Sequence, residues 1–189
     1  DFDGIARPQG AAYDIGAFEA YSVGICAAPF PTNFFCGDYY ASAAPGQFTL
    51  HYGHITSEGN ASSPFLNYNP FDATLGQSDR CLQQNLCAVR WQGSYSFNTA
   101  SYTFSVTADD GIRLYIDGTL VINHWVDQGA TTYNYTQGMT LGAHDIKVEY
   151  YENAGGAVAI VGWTQDASPS GPRSQLKGAV TLKGAVLLK

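Results

Sequence analysis

Between Tyr102 and Ile122 the chain reads YTFSVTADDGIRLYIDGTLVI, and few architectures accept such a run. Tyr102, Phe104 and Val106 alternate with Thr103, Ser105 and Thr107, which puts the apolar set on one face of a strand. Ile112, Leu114 and Ile116 repeat the pattern and predict a second strand, and Leu120 and Ile122 begin a third. Asp117-Gly118 supplies a tight hairpin turn between the last two, because Gly tolerates positive φ and Asp nearly does. Ala108-Asp109-Asp110-Gly111 lies between the first two strands. Two adjacent carboxylates at a strand end repel each other. A bound hard cation is one compensation, since calcium collects carboxylate and carbonyl oxygens at about 2.3–2.6 Å.

The whole chain reads the same way. With 189 residues it can build one substantial core, or one core with appendages. Aromatic residues reach 14%, glycines number 21, and no long amphipathic helical pattern occurs, so an all-β fold is expected. A net charge of -7 argues against nucleic acid, which requires a basic surface. That acidity suits divalent cations and neutral sugars without selecting either. The four cysteines allow three pairings. Short-loop pairing, Cys26 with Cys36 and Cys81 with Cys87, is expected because each pair brackets a turn-rich segment. A metal site is the rival, weakened by the absence of CxxC spacing and of a nearby His in sequence. Disulfides imply an oxidising, extracellular setting. Neither a signal peptide nor a transmembrane run is read in the chain, and its start at Asp1 without Met leads us to expect a processed piece of a longer secreted protein.

Several motifs, in order and in spacing, give a resemblance. YTFSVTADDGIRLYIDGTLVINHW is similar to the central signature of the PA14 family. Upstream CAVRWQGSYSF, from Cys87 to Phe97, resembles the strand before it. Downstream GAHDIKVEYYENAGGAVAIVGW, from Gly142 to Trp163, resembles the closing pair of strands. FFCGDYY looks like the family's opening strand, although a Cys there departs from its pattern. The resemblance covers roughly Phe34 to Trp163. It implies an antiparallel β-sandwich or barrel, and in the carbohydrate-binding members a calcium site. There, two adjacent aspartates joined by a cis peptide hold the ion, and a second loop adds a side-chain amide and backbone carbonyls. Sugar hydroxyls then coordinate the same ion. Carried onto this chain, Asp109 and Asp110 become calcium ligands, Asn153 supplies the amide, and Gly155 and Gly156 let carbonyls approach. Glu152 is read as serving the strand. Trp125, in NHWVDQG, has two readings: stacked on a sugar ring with the neighbouring Asp127 and Gln128 taking hydroxyls, or buried and closing the sandwich. The resemblance favours the second, because the family places a structural Trp here. The plainer alternative for the aspartates is a turn in which Asp109 caps backbone N–H groups and Asp110 faces water.

Three regions are expected: 1–20, 21–165 and 166–189. The first resembles the last coil of right-handed parallel β-helix proteins of bacterial surfaces. The last is a Ser-Pro-Gly linker followed by QLKGAVTLKGAVLLK, read as a strand tail available for addition to a neighbouring subunit's sheet. Within the middle region Phe48, Leu50 and Tyr52 predict a strand. Ser57 to Arg80 reads as a long surface excursion whose aromatics, Phe65, Tyr68 and Phe71, pack back on the core. Trp91 is expected in the core. His51 and His54 are read as a solvated loop pair rather than metal ligands. Catalysis is not expected. A glycosidase needs two carboxyl groups flanking a bond from opposite sides, and Asp109 and Asp110 are too close in sequence for that. No Ser-His-Asp set, HExxH or phosphate loop is present. The expectation is therefore a calcium-dependent, lectin-like module of a secreted or cell-surface adhesin, taking neutral glycans. The alternative is an assembly module of a surface fibre that binds no sugar.

Overall fold

The computed structural model describes residues 25–41, 44–60, 62–68 and 86–167. Within them ten strands form in order: β1 (Phe35–Ala41), β2 (Leu50–Glu58), β3 (Leu66–Tyr68), β4 (Cys87–Phe97), β5 (Ala100–Asp109), β6 (Gly111–Ile116), β7 (Thr119–His124), β8 (Thr131–Met139), β9 (Gly142–Glu152) and β10 (Val158–Gln165). They make two antiparallel sheets. One has the order β2-β1-β4-β9-β6-β7, the other β3-β10-β5-β8. Strict alternation explains why they face each other. Along β5 the buried residues are Tyr102, Phe104, Val106 and Ala108; along β4 they include Val89, Trp91, Tyr95 and Phe97. Ile146, Val148 and Tyr150 do the same on β9. These inner faces close an aromatic core in which Trp91 is fully buried against Tyr39, Tyr68 and Tyr150. Truncating a ring so enclosed typically costs about 3–5 kcal/mol. Asp117 and Gly118 both take positive φ, 48° and 78°, as the β6–β7 hairpin requires.

Several expectations change in detail. Ser57 and Glu58 belong to β2, and Leu66–Tyr68 is a short strand paired with β10, so part of the supposed excursion is sheet. Phe65 and Tyr68 do pack inward, Phe65 stacked on Trp163 at 3.9 Å. Phe71 lies outside the described residues. His51 and His54 sit on β2 rather than a loop, and His51 Nε2 lies 3.2 Å from Asp38. Phe48 falls outside the strand predicted for it and lies on the outer face of the larger sheet, against Tyr40. On β10 it is Ala159, Val161 and Trp163 that point into the core, which leaves Val158, Ile160 and Gly162 on the outer side. Cys26 and Cys36 are joined. Cys87 is disulfide-bonded too, while Cys81 lies outside the described residues, as do the expected N-terminal coil and C-terminal strand tail. No helix among the described residues is long and apolar enough to cross a membrane.

Candidate metal centre

The acidic site lies where three elements meet: the end of β5, the end of β9, and the loop between β7 and β8. Alternation on β5 sends Asp109 outward and Asp110 inward, and the peptide between them is cis. Both carboxylates nonetheless converge with Glu152, each offering an oxygen within 4.8 Å of the others. Gly111 is needed beside them, because a Cβ there would overlap the Tyr151 ring that crosses it. Gly155, at φ +105°, occupies a conformation that L side chains rarely adopt, and Gly156 runs close to the Asp109 carboxylate.

The site is held from several sides. Asp110 Oδ1 accepts the Gln128 backbone N–H at 2.9 Å, and Oδ2 accepts that of Asn153 at 2.9 Å. Each oxygen keeps a further lone pair. Gln128 also donates from its side chain to the Asp110 carbonyl, and is itself held by the Tyr133 hydroxyl at 2.6 Å. Tyr150 donates to the Asp109 carbonyl at 2.7 Å. Asp127 accepts from Tyr151 and from the Asn153 side-chain NH2. Asp110 is therefore buried and engaged, which overturns the alternative that it faces water.

Glu152 ends β9, as expected of a residue that serves the strand, but its carboxylate also joins the two aspartates. It is 1% exposed, and its Oε1 is buried with no hydrogen-bond partner, while Oε2 meets the Tyr150 hydroxyl at 3.3 Å. Burial, then the charges of Asp110 and Asp109, push its pKa up to about 8. Asp109 is raised as well, by burial first and Asp110 second, against a backbone N–H from Ala130. A signal was available: Glu152 shares its parity with Ile146, Val148 and Tyr150, so it stands on the apolar face of β9. A charge there needs compensation. The described residues hold three lysines and arginines, Arg90, Arg113 and Lys147, and all three surround Glu149. The donor set of three converging carboxylates with one orphaned, buried oxygen fits a hard divalent cation.

Trp125 does not close the sandwich. It is half-buried on the outer face of the larger sheet, stacked on Phe48, edge-on to Tyr151 and covered by the Arg113 guanidinium at 4.2 Å. Tyr151 links it to Asp127 and so to the edge of the acidic site.

A two-sheet antiparallel sandwich with adjacent aspartates at one end, facing a glycine loop, defines a class of β-sandwich binding domain. The PA14 domain family model matches residues 69–172, and the chain belongs to that family. It is 34% identical over 119 residues to "Anti-sigma-I factor RsgI3" of Acetivibrio thermocellus, an alignment covering 59% of this chain and 18% of that protein. Among solved structures, an anti-sigma factor domain-containing protein matches at 26% identity with a TM-score of 0.57, over 71% of this chain and 43% of that one. The "PA14 sugar-binding domain from RTX adhesin" matches at 18% identity with a TM-score of 0.52, over 70% and 89% respectively. That last likeness shows the fold alone. The chain thus spans less than a fifth of the curated relative and under half of the first structural one.

Proposed function

We propose that this chain is a calcium-dependent carbohydrate-binding module of a secreted or cell-surface protein. The observation that carries the reading is the uncompensated triad of Asp109, Asp110 and Glu152, with the Glu152 Oε1 orphaned in the interior. Asp109, Asp110 and Glu152 would hold the cation, with Asn153 and the carbonyl of Gly155 from the facing loop. A bound calcium supplies open coordination positions that neutral sugar hydroxyls fill. The chain's own residues do the rest. Gln128 and Asn153 fix the Asp110 carboxylate through backbone N–H groups, Tyr150 fixes the Asp109 carbonyl, and Asp127 orients the Asn153 side chain. Trp125 bounds the ligand on the Tyr151 side. The disulfide supports the extracellular assignment, and membership of the PA14 family, whose carbohydrate-binding members the sequence resembles, supports the glycan-reading one.

The test is calorimetry with calcium, followed by a glycan array with and without chelator. Calcium heat that disappears in Asp109→Asn, together with chelator-sensitive glycan signals, is the expected result. Absence of calcium binding, or glycan signals indifferent to chelator, sinks the reading. The two anti-sigma relatives favour a second use of the same site, as the ligand-reading part of a longer signalling protein. That use differs in what the binding event is coupled to, and a sensor whose output changes on sugar addition would distinguish it.

A further inference from the structure

The outer face of the smaller sheet carries a groove of ≈ 450 Å³ that the acidic site does not use. Its floor is a cross-strand row, Gly162 opposite Ser105 opposite Asn134, on β10, β5 and β8. Gly162 has no side chain because the Ser63–Pro64 turn packs directly over it, where a Cβ would meet Ser63 Oγ; the turn walls that end of the row and leaves Ser105 and Asn134 as the open floor. Rows of threonine flank this floor. Thr103 and Thr136 hydrogen-bond each other at 2.9 Å, as do Thr107 and Thr132 at 2.7 Å. Each hydroxyl has one donor and two acceptor sites, so these pairs are held in place with capacity left over.

Two features decide what such a groove takes. No lining residue is charged, in a chain whose net charge is -7. Nucleic acid and acidic polymers find no cation there, and the nearest carboxylates stand at its two ends, Asp166 beside Thr103 and Asp109 beyond Thr107, rather than along its floor. Threonine methyls and Ile160 alternate with hydroxyl and amide groups, which matches the mixed C–H and hydroxyl surface of a sugar ring. The second feature is continuity. Thr103, Ser105, Thr107 and Asp109 share one parity on β5, so the row that floors the groove as far as Thr107 points on to Asp109 at the acidic site. At about 3.3 Å per residue the row from Thr103 to Asp109 is roughly 20 Å long.

We propose that the groove extends the acidic site into a cleft for a linear, neutral polysaccharide, laid along β5 from Asp109 toward Thr103. This rests on the sugar-binding reading above and adds that the ligand is an extended chain rather than a terminal sugar. The test is titration with neutral gluco-, xylo-, manno- and galacto-oligosaccharides of one to six units, with calcium present, using a uronic-acid hexamer as the charged comparator. Affinity for the preferred neutral series is expected to rise about tenfold or more with length. Ser105→Tyr fills the floor, and Asn134→Trp fills it from the exposed strand β8 with no change to the core. Each is expected to erase the hexamer's advantage over the short sugar. Affinity that is flat with length, a hexamer advantage that survives both variants, or a preference for the charged hexamer overturns the cleft while leaving the sugar site standing. Failure of every sugar at every length removes both.

Discussion

Two glutamates three positions apart on β9 are both buried, and their surroundings are opposite. Glu149 lies on the outer face of the larger sheet, 5% exposed, with Arg90 at 3.0 Å, Arg113 at 3.6 Å, Lys147 at 3.7 Å and the Tyr115 hydroxyl at 3.0 Å. Register sets this up: Arg90, Glu149 and Arg113 are direct partners across β4, β9 and β6. Glu152 lies on the inner side with two aspartates and, among the described residues, no lysine or arginine. The first carboxylate is compensated by the fold itself. The second is compensated only by a proton or by something from outside. A buried ion pair is weak evidence for stability, since removal of charges from water offsets their attraction. An unpaired buried acid among acids is better evidence for a site.

The comparison can be broken or sharpened by measurement. Calcium at about 1,000 times its Kd is expected to stabilise the protein by about 4 kcal/mol, read as a rise in Tm, and Glu152→Gln to remove most of that rise. Without calcium the two glutamines should act in opposite directions. Glu149→Gln leaves three cations around a neutral group and is expected to cost about 2–3 kcal/mol in urea unfolding, below the range for fully buried pairs because the partners are partly exposed. Glu152→Gln relieves repulsion and is expected to stabilise by about 1 kcal/mol. If both glutamines destabilise equally, the contrast is wrong. Trp125→Ala is expected to cost about 2 kcal/mol, less than for a fully buried Trp, and to weaken sugar binding by under about tenfold. Asp109→Asn should abolish sugar binding.

The smallest effect is in pH. Glu152 binds its proton more tightly folded than unfolded, so with chelator present stability should fall as pH rises from about 4.3 to about 8 and level off beyond. Calcium should flatten that slope, because it favours the ionised form. His144 contributes in the same direction. Its hydrogen bond to Asp117 raises its pKa, so its stabilisation is complete below the unfolded value and is lost as pH rises through the folded one. Thermal melts of His144→Gln and Glu152→Gln across this range separate the two, and a slope untouched by Glu152→Gln would count against the uncompensated triad.

The strands that build the sandwich were readable because their alternation is local. Tyr102 to Val106 and Ile112 to Ile116 each declare a face within a few residues, and Asp117-Gly118 declares its turn. Asp109 and Asp110 were readable because they are adjacent. What escaped notice depends on distant partners. Asp127 and Gln128 carry no local signal of their role, yet they brace Asn153 and Asp110. Glu58 sits at the end of a stretch rich in Ser and Asn, and only the fold brings Tyr39 and Trp91 to its carboxylate. The two readings of Trp125 stay open in sequence for a related reason: nothing local tells which side of a sheet a loop residue folds over.

Tyr150 and Tyr151 follow one another on β9 and therefore emerge on opposite sides of the larger sheet. One hydroxyl reaches Asp109 and its ring meets Trp91 at 6.0 Å; the other reaches Asp127 and its ring meets Trp125 at 4.8 Å. The acidic end is thereby wired to an indole in the interior and an indole near the surface. Intrinsic ultraviolet emission becomes an optical gauge of that end, readable in solution without a label: the half-wetted Trp125 emits to the red of the dry Trp91, and Trp163, buried against Phe65 and Phe97, adds a background that Trp163→Phe removes.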